Sequence, residues 1–319
     1  NEANLVEALT AVLPTFEGAF TLAVMDRTSL VGVRDRHGFR PLSIGKLGDG
    51  WVLASESAAF DIMGATFFRD VEPGEMVVID DRGITSVQPF EPSPARMCLF
   101  EFVYFARPDS LIAGQNIHAA RRHMGEALAA QAPATADVVV PVPESGIPAA
   151  QGYAAASGIP YRDGLVKNRY VGRTFIEPAQ AMRDMGIHMK LNPLRQELNG
   201  KDVVLVDDSI VRGSTTRQLI RMVRDAGASA VHLRISSPPY RWPCFYGMDT
   251  GDRSTLLAAD RSVEEIAEYL DVDSLAYLEL DALLEATGAA SDGFCTACLS
   301  GEYPTPIPNG DGKFALEET

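Results

Sequence analysis

The amino-acid sequence predicts an α/β protein whose larger part is a parallel β-sheet covered by helices, with a smaller region of antiparallel strands ahead of it. Three observations carry this expectation. Short strand-like runs separated by polar, glycine-bearing turns fill residues 1–92. A Pro-rich stretch, Pro89, Pro92 and Pro94, then breaks the pattern, and beyond it apolar strand runs alternate with helical ones. At 319 residues the chain has room for about two domains, each with its own core. The composition shifts place candidate boundaries at 1–92, 93–258 and 259–319.

The elements follow in order. Leu5, Leu9 and Val12 have helical spacing, so residues 1–13 read as an amphipathic helix. A meander follows over 20–24, 30–33, 51–55, 75–79 and 84–87, with Asp80-Asp81-Arg82-Gly83 as a hairpin loop. The next helix, 117–131 with Asn116 as N-cap, must stop before Pro133. Residues 138–142 are largely apolar, as a strand of a buried parallel sheet should be, and 201–206, apolar from Val203 to Val206, is a second such strand. Between them, 170–195 has no sustained periodicity and reads as a long loop, either disordered or, beside a substrate site, a lid. Residues 215–226 place Leu219, Val223 and Ala226 on one helical face, with Gly227 at the end. Val231, Leu233 and Ile235 mark a further strand, and Ser262 with Glu265 forms a capping box ahead of a helix burying Val263, Ile266 and Leu270.

Charge narrows the function classes. Twenty-eight Lys plus Arg against 43 Asp plus Glu give a net charge of -15, which disfavours general binding to nucleic acid or anionic membranes. Residues 162–224 are the exception, at a local +5, either a solvated face or a site for an anion. No apolar run approaches a membrane span, and four cysteines without a glycosylation sequon fit a reducing cytoplasm. The chain opens on Asn1 with helical spacing already under way, so a preceding segment is expected.

The most informative stretch is Val203-Val204-Leu205-Val206-Asp207-Asp208-Ser209-Ile210-Val211-Arg212-Gly213-Ser214-Thr215-Thr216. A buried strand ends in two carboxylates, and a Gly/Ser/Thr loop opens a helix. Ligands bind beyond the carboxyl ends of parallel strands, and a helix N-terminus offers free N–H groups to a phosphate. Two carboxylates beside such a cradle would repel a bare phosphate, so they must face hydroxyls or a metal. A phosphorylated sugar meets both needs, with its phosphate in the loop and its diol on Asp207 and Asp208.

These residues resemble the phosphoribosyl pyrophosphate (PRPP) motif of type I phosphoribosyltransferases. More narrowly, Lys167-Asn-Arg-Tyr-Val-Gly-Arg-Thr-Phe-Ile176, Met189-Lys-Leu-Asn192, Val206-Asp-Asp-Ser-Ile-Val-Arg-Gly213 and Cys244-Phe-Tyr-Gly247 resemble the amidophosphoribosyltransferases, which make 5-phosphoribosylamine from PRPP and glutamine-derived ammonia at the start of purine synthesis. The resemblance implies a type I phosphoribosyltransferase domain, preceded by the later part of an N-terminal-nucleophile glutaminase domain. Asp207, Asp208 and Ser209 would then hold the ribose, and Arg212, Gly213, Ser214, Thr215 and Thr216 the 5-phosphate. Glu144, Ser145 and Gly146, in Val142-Pro-Glu-Ser-Gly146, match the pyrophosphate loop. Lys190 matches a lysine that reaches the pyrophosphate from a flexible loop, and Tyr170 would help wall off a passage for ammonia. Magnesium would sit among Ser145, Asp207, Asp208 and the substrate oxygens. By the same resemblance, purine nucleotides are feedback inhibitors and the protein is a homo-oligomer, a tetramer.

Spacing alone leaves the cysteines open. Cys295-Thr-Ala-Cys298 is one CxxC, while Cys98 and Cys244 stand far off, weak evidence for zinc. One branch of the resembled family binds a 4Fe-4S cluster through four cysteines in these contexts, and that resemblance implies a cluster on Cys98, Cys244, Cys295 and Cys298. The histidines, 37, 118, 123, 188 and 232, have no ligand spacing and read as structural.

In the family, a cysteine at the first position releases ammonia from glutamine. Residues 1–92 resemble only the later half of that domain, through Arg34-Asp-Arg-His-Gly-Phe-Arg-Pro-Leu42, so this chain is expected to be ammonia-dependent. Two rival readings stand beside this one: a salvage phosphoribosyltransferase that attaches a nucleobase, and a non-catalytic, cluster-bearing sensor of PRPP or nucleotides.

Overall fold

A computed structural model describes residues 4–168, 170, 191–290 and 293–307. The chain forms two compact units. The first comprises 1–117, 243–251 and 289–319, the second 118–242 and 252–288.

The first unit contains two antiparallel sheets. Strands β1 (Thr21–Met25), β2 (Leu30–Arg34), β6 (Met76–Asp80) and β7 (Gly83–Val87) form one, in the order β1-β2-β6-β7. Strands β3 (Ser43–Leu47), β4 (Gly50–Ala54) and β5 (Thr66–Asp70) form the other, with β3 in the centre. Alternation along β6 decides what packs where. Met76 and Val78 join Val31, Val33 and Leu13 beneath the helix Leu5–Val12, while Val77 joins Leu42, Ile44 and Val71 against the second sheet. Gly32 permits the sheets to meet, because a Cβ there would lie 2.7 Å from Leu53 Cδ1. The meander strands fall within one residue of their expected bounds, but β3, β5 and the short helix Ala58–Met63 add a second layer that the sequence pattern did not show.

The boundary expected at 92 does not separate the units. Strand β8 (Met97–Cys98) pairs in parallel with β17 (Phe294–Cys295), so the tail returns to the first unit rather than forming its own 259–319 domain. The physical reason is a core gathered from distant segments, with Phe39, Tyr246, Cys295 and Ala297 in one apolar cluster. Phe39, wholly buried, stacks on Tyr246 with ring centroids 4.2 Å apart, and this contact draws 243–251 in as well.

The second unit is a four-stranded parallel sheet in the order β11 (Val138–Pro141), β14 (Asp202–Asp207), β15 (Ala230–Ile235) and β16 (Ser274–Tyr277). Helices Ser214–Asp225 and Val263–Leu270 cover one face through Leu219, Ile220, Val223, Ile266 and Leu270. The expected capping box is present, with Ser262 Oγ accepting from Glu265 N and Glu265 accepting from Ser262 N. Helices Ile117–Gln131 and Ile147–Ser157 cross at glycines. A Cβ on Gly125 would lie 1.9 Å from Ala149 O, and one on Gly152 the same distance from Arg122 O, so the backbones nearly touch. The long loop expected over 170–195 ends earlier, because 191–193 form β13, paired with β12 (Leu165–Lys167), and a helical turn follows at Arg195–Leu198. Lys190 and the expected lid, apart from Tyr170, lie outside the described residues.

Candidate functional site

Two chain segments meet at the carboxyl end of the parallel sheet in the second unit. The first leaves β14 at Asp207. Asp208 N–H donates to Asp207 Oδ1 at 2.9 Å, and Ser209 Oγ donates to Asp208 Oδ1 at 2.5 Å. Gly213 then takes φ +76°, where a Cβ would lie 2.5 Å from Leu257 Cδ2, and caps the helix Ser214–Asp225 without any side-chain cap bond. The first-turn N–H groups have no intrahelical acceptor, which leaves them for an anion. Ser214, Thr215 and Arg212 are exposed there, and Thr216 is buried.

The second segment leaves β11. Val142 N–H donates to Val206 O at 2.8 Å, and Gly146 lies so close to β14 that a Cβ would come within 2.5 Å of the same carbonyl. Only glycine fits, and this approach brings Ser145 into hydrogen-bonding reach of the Asp208 carboxylate. The peptide bond between Pro143 and Glu144 is cis. Glu144 is exposed and pairs with Lys167 Nζ at 2.9 Å.

Electrostatics set the two carboxylates apart. Burial and the neighbouring charge of Asp208 push Asp207 well above the usual carboxylate range. Asp208 is also raised by burial, but hydrogen bonds from Ser145 and Ser209 and the charge of buried Arg121 oppose the rise. A buried pair of this kind favours a ligand that donates hydroxyl protons or brings a cation. Sequence reasoning gave no role to Leu257, which props Gly213, or to Arg121. Neither carries a local signal, since each acts only through the fold. Tyr170 is exposed, its N–H donating to Asn168 Oδ1 at 3.0 Å.

All four cysteines lie in the first unit. Register pairs Cys98 with Cys295 across β8 and β17, Cys298 lies on the turn Ala297–Ser300 just beyond, and Cys244 Sγ accepts from Tyr246 N at 3.4 Å. Cys98, Cys295 and Cys298 are buried, and burial pushes Cys98 up to about 12, Cys295 up to about 11 and Cys298 well above the usual thiol range. Cys244 packs against the apolar cluster that holds Cys295, Phe39 and Tyr246, and neighbouring cysteine charges add to the rise, Cys295 and Cys244 at Cys98, Cys244 at Cys295, and all three others at Cys298. Among the described residues, no group of three or more His, Cys, Asp or Glu side chains is arranged to hold a metal ion. Two of the described histidines make structural contacts: His37 Nδ1 meets Pro94 O at 2.9 Å and His232 Nδ1 meets Ser274 Oγ at 2.9 Å. Among the described residues no helix is long and apolar enough to cross a membrane.

A parallel sheet whose strand ends join an acidic pair, a glycine-led helix N-terminus and a second tight loop defines a phosphoribosyltransferase domain. The phosphoribosyl transferase domain family matches residues 109–236, and the glutamine amidotransferase domain family matches 2–61. The chain is 50% identical to the amidophosphoribosyltransferase of Mycobacterium tuberculosis over 99% of its length, and 53% identical to that of Synechococcus elongatus over 92%. Among solved structures, the Bacillus subtilis glutamine PRPP amidotransferase complexed with ADP and GMP matches with a TM-score of 0.90 at 47% identity, covering 97% of this chain and 69% of that one. The chain belongs to the amidophosphoribosyltransferase family. It spans about three fifths of these curated relatives, 61% and 60% of their lengths.

Proposed function

We propose that this chain carries the phosphoribosyl-transfer step of an amidophosphoribosyltransferase, joining ammonia to PRPP to give 5-phosphoribosylamine and pyrophosphate in purine synthesis. The observation that carries the reading is the Asp207–Asp208 pair, Asp208 buried and Asp207 half-buried, beside the uncapped helix at Ser214, a pairing of acceptors and N–H donors suited to a ribose diol with a 5-phosphate. Asp207 and Asp208 accept the 2- and 3-hydroxyls, with Ser209 orienting Asp208. Arg212, Ser214, Thr215 and the backbone N–H groups from Gly213 to Thr216 hold the phosphate. Glu144, Ser145 and Gly146 border the pyrophosphate, and Lys190 would supply a cation to it.

The nitrogen lone pair of ammonia forms a bond to C1 as the C1–O bond to pyrophosphate breaks. Pyrophosphate leaves with that electron pair, and the nitrogen releases one proton. Positive charge builds at the sugar centre and negative charge on the leaving group, so fixed cations near the latter lower the barrier. Magnesium, held by Ser145, Asp207, Asp208 and substrate oxygens, supplies charge neutralisation when bound. Tyr170 would help exclude water and border the ammonia passage.

Three buried thiols and the half-buried Cys244 are not arranged around a single metal ion, but a 4Fe-4S cluster, whose four soft irons each favour a thiolate ligand, is a larger group and would suit thiols on these neighbouring segments. Cys98, Cys244, Cys295 and Cys298 would hold it, and it would clamp the tail to β8. Free cysteines in these positions accord with a reducing cytoplasm. Purine nucleotides as inhibitors and a homo-oligomeric, tetrameric assembly complete the reading; the Bacillus subtilis relative was solved with ADP and GMP.

The test is pyrophosphate release by the chain with PRPP and magnesium, supplied with ammonium or with hypoxanthine. Ammonium-dependent, magnesium-dependent release is expected. Release with hypoxanthine alone would transfer the protein to nucleobase salvage, and PRPP binding without release on either arm would favour a sensor.

A further inference from the structure

The loop that begins at buried Arg34 ends at Arg40. Arg34 fixes its shape by donating to the carbonyls of Arg40, Gly38 and Val71 at 2.8, 2.8 and 2.7 Å. Arg40 is then held from four sides. Its Nη1 donates to Glu101 Oε1 at 2.8 Å, its Nε and Nη2 donate to Tyr246 O at 3.2 and 3.0 Å, and its guanidinium lies 4.6 Å over the Phe105 ring. Gly247 closes the fourth side. Its φ is +113°, and a Cβ there would come within 2.8 Å of Arg40 Nη2, so a glycine admits the guanidinium.

These partners belong to the cysteine-bearing segments. Glu101 sits just after Cys98, and Tyr246 sits just after Cys244, donating to its Sγ. Phe39 adds a second tie, since its carbonyl accepts from Cys98 N–H at 2.9 Å while its ring stacks on Tyr246. On the other flank, a cavity of about 330 Å³ lined by Thr21, Ser55, Glu56 and Phe105 opens onto Arg40 and Glu101. The guanidinium thus lines that cavity while its fork holds the two cysteine-bearing segments.

We propose that Arg40 is a positioning residue for the iron–sulfur site: its fork sets the spacing of the Cys98 and Cys244 segments and fixes a positive charge beside the cluster. The inference rests on the cluster reading above. A planar fork reaches two acceptors in fixed directions, which an ammonium does not reproduce. A 4Fe-4S core with four thiolates is a net anion, so a nearby cation favours its reduced state and raises its potential. Removing Arg40 therefore shifts the potential negative. Removing the charge of Glu101 shifts it positive, while Arg40 keeps its bonds to Tyr246 O.

The whole 319-residue chain is reconstituted anaerobically with iron and sulfide as wild type, Arg40→Gln, Arg40→Lys and Glu101→Gln. Iron per chain, the rate of bleaching in air and the midpoint potential by EPR-monitored titration are measured. Arg40→Gln is expected to bleach about tenfold faster, the scale of one charge-assisted hydrogen bond, and to shift negative. Arg40→Lys should recover the potential but not the retention, and Glu101→Gln should shift positive. A wild-type chain that takes up no cluster overturns the cluster reading itself. A loaded wild type matched by Arg40→Gln in bleaching and potential overturns the role of Arg40 alone. If Arg40→Gln does not fold, an Arg40→Lys retention equal to wild type, or a Glu101→Gln shift that is absent or negative, does the same.

Discussion

The sugar-phosphate site of the second unit and the cysteine nest of the first are built in opposite ways. The former hangs on one continuous stretch, 203–216, in which strand, acidic pair, glycine and helix start follow each other, and one further loop presses against it through Gly146. The latter draws on four separate segments around 39–40, 97–101, 244–247 and 294–298, held by the β8–β17 pair, the Phe39–Tyr246 stack and the Arg40 fork. A site on a contiguous strand–loop–helix keeps its geometry through local hydrogen bonds. A site gathered from distant segments depends on every long-range contact, and it should fail as a whole.

The sharpest test of that contrast is Cys298→Ala, which should reduce bound iron and sulfide to background after anaerobic reconstitution, because a cluster lacking one of four thiolates loses its closure. Partial retention at near-normal iron content would show a nest more tolerant than described. Next in size is the acidic pair. Each charge-assisted hydrogen bond is worth roughly 1.5 to 3 kcal/mol, so Asp207→Asn or Asp208→Asn should weaken PRPP binding by about ten- to a hundredfold in titration calorimetry.

The same substitution at 207 has a second consequence, of opposite sign. The Asp207 pKa is raised in the folded protein, so its contribution to stability is complete below the unfolded value near 3.8 and is lost as pH rises through the folded one. Asp207→Asn should therefore raise the melting temperature at neutral pH and flatten its fall between acidic and neutral pH. A variant that melts lower than wild type at neutral pH would contradict that burden.

Gly213→Ala forces a side chain into a left-handed conformation and against Leu257, at a cost of about 1 to 3 kcal/mol. Its urea midpoint should fall, and PRPP affinity with it. Smallest of all, Ser262→Ala removes a capping box remote in sequence from both sites and should cost about 1 kcal/mol of stability without changing iron content or PRPP affinity.

What was legible follows from the same contrast. The acidic strand end and the helix at 214 could be read residue by residue, and β11, β14 and β15 matched their apolar runs, while β16 carried no strand signal that was read. Helix Ile147–Ser157 escaped notice because it is nearly all small residues, with no polar stripe to mark a face; its role is close approach, through Gly152, to the backbone of the neighbouring helix. Strands β3 and β5 escaped because each has a mixed pattern, and what holds them is a sheet-on-sheet contact at Gly32 and Leu53. The cysteines were visible, yet their spacing alone favoured no joint site.

By itself the sequence determined the elements whose signals repeat at the period of the backbone: the apolar parallel strands, the capped helix at 263 and the phosphate loop with its glycine. Tertiary structure alone decided that the tail returns to the first unit, that Ser145 reaches Asp208, and that Arg40 links the Cys98 and Cys244 segments. Local conformation depends on neighbours a few residues away, and the order of the chain records them. Contacts among distant segments depend on shape and burial across the fold, which no short window of sequence contains.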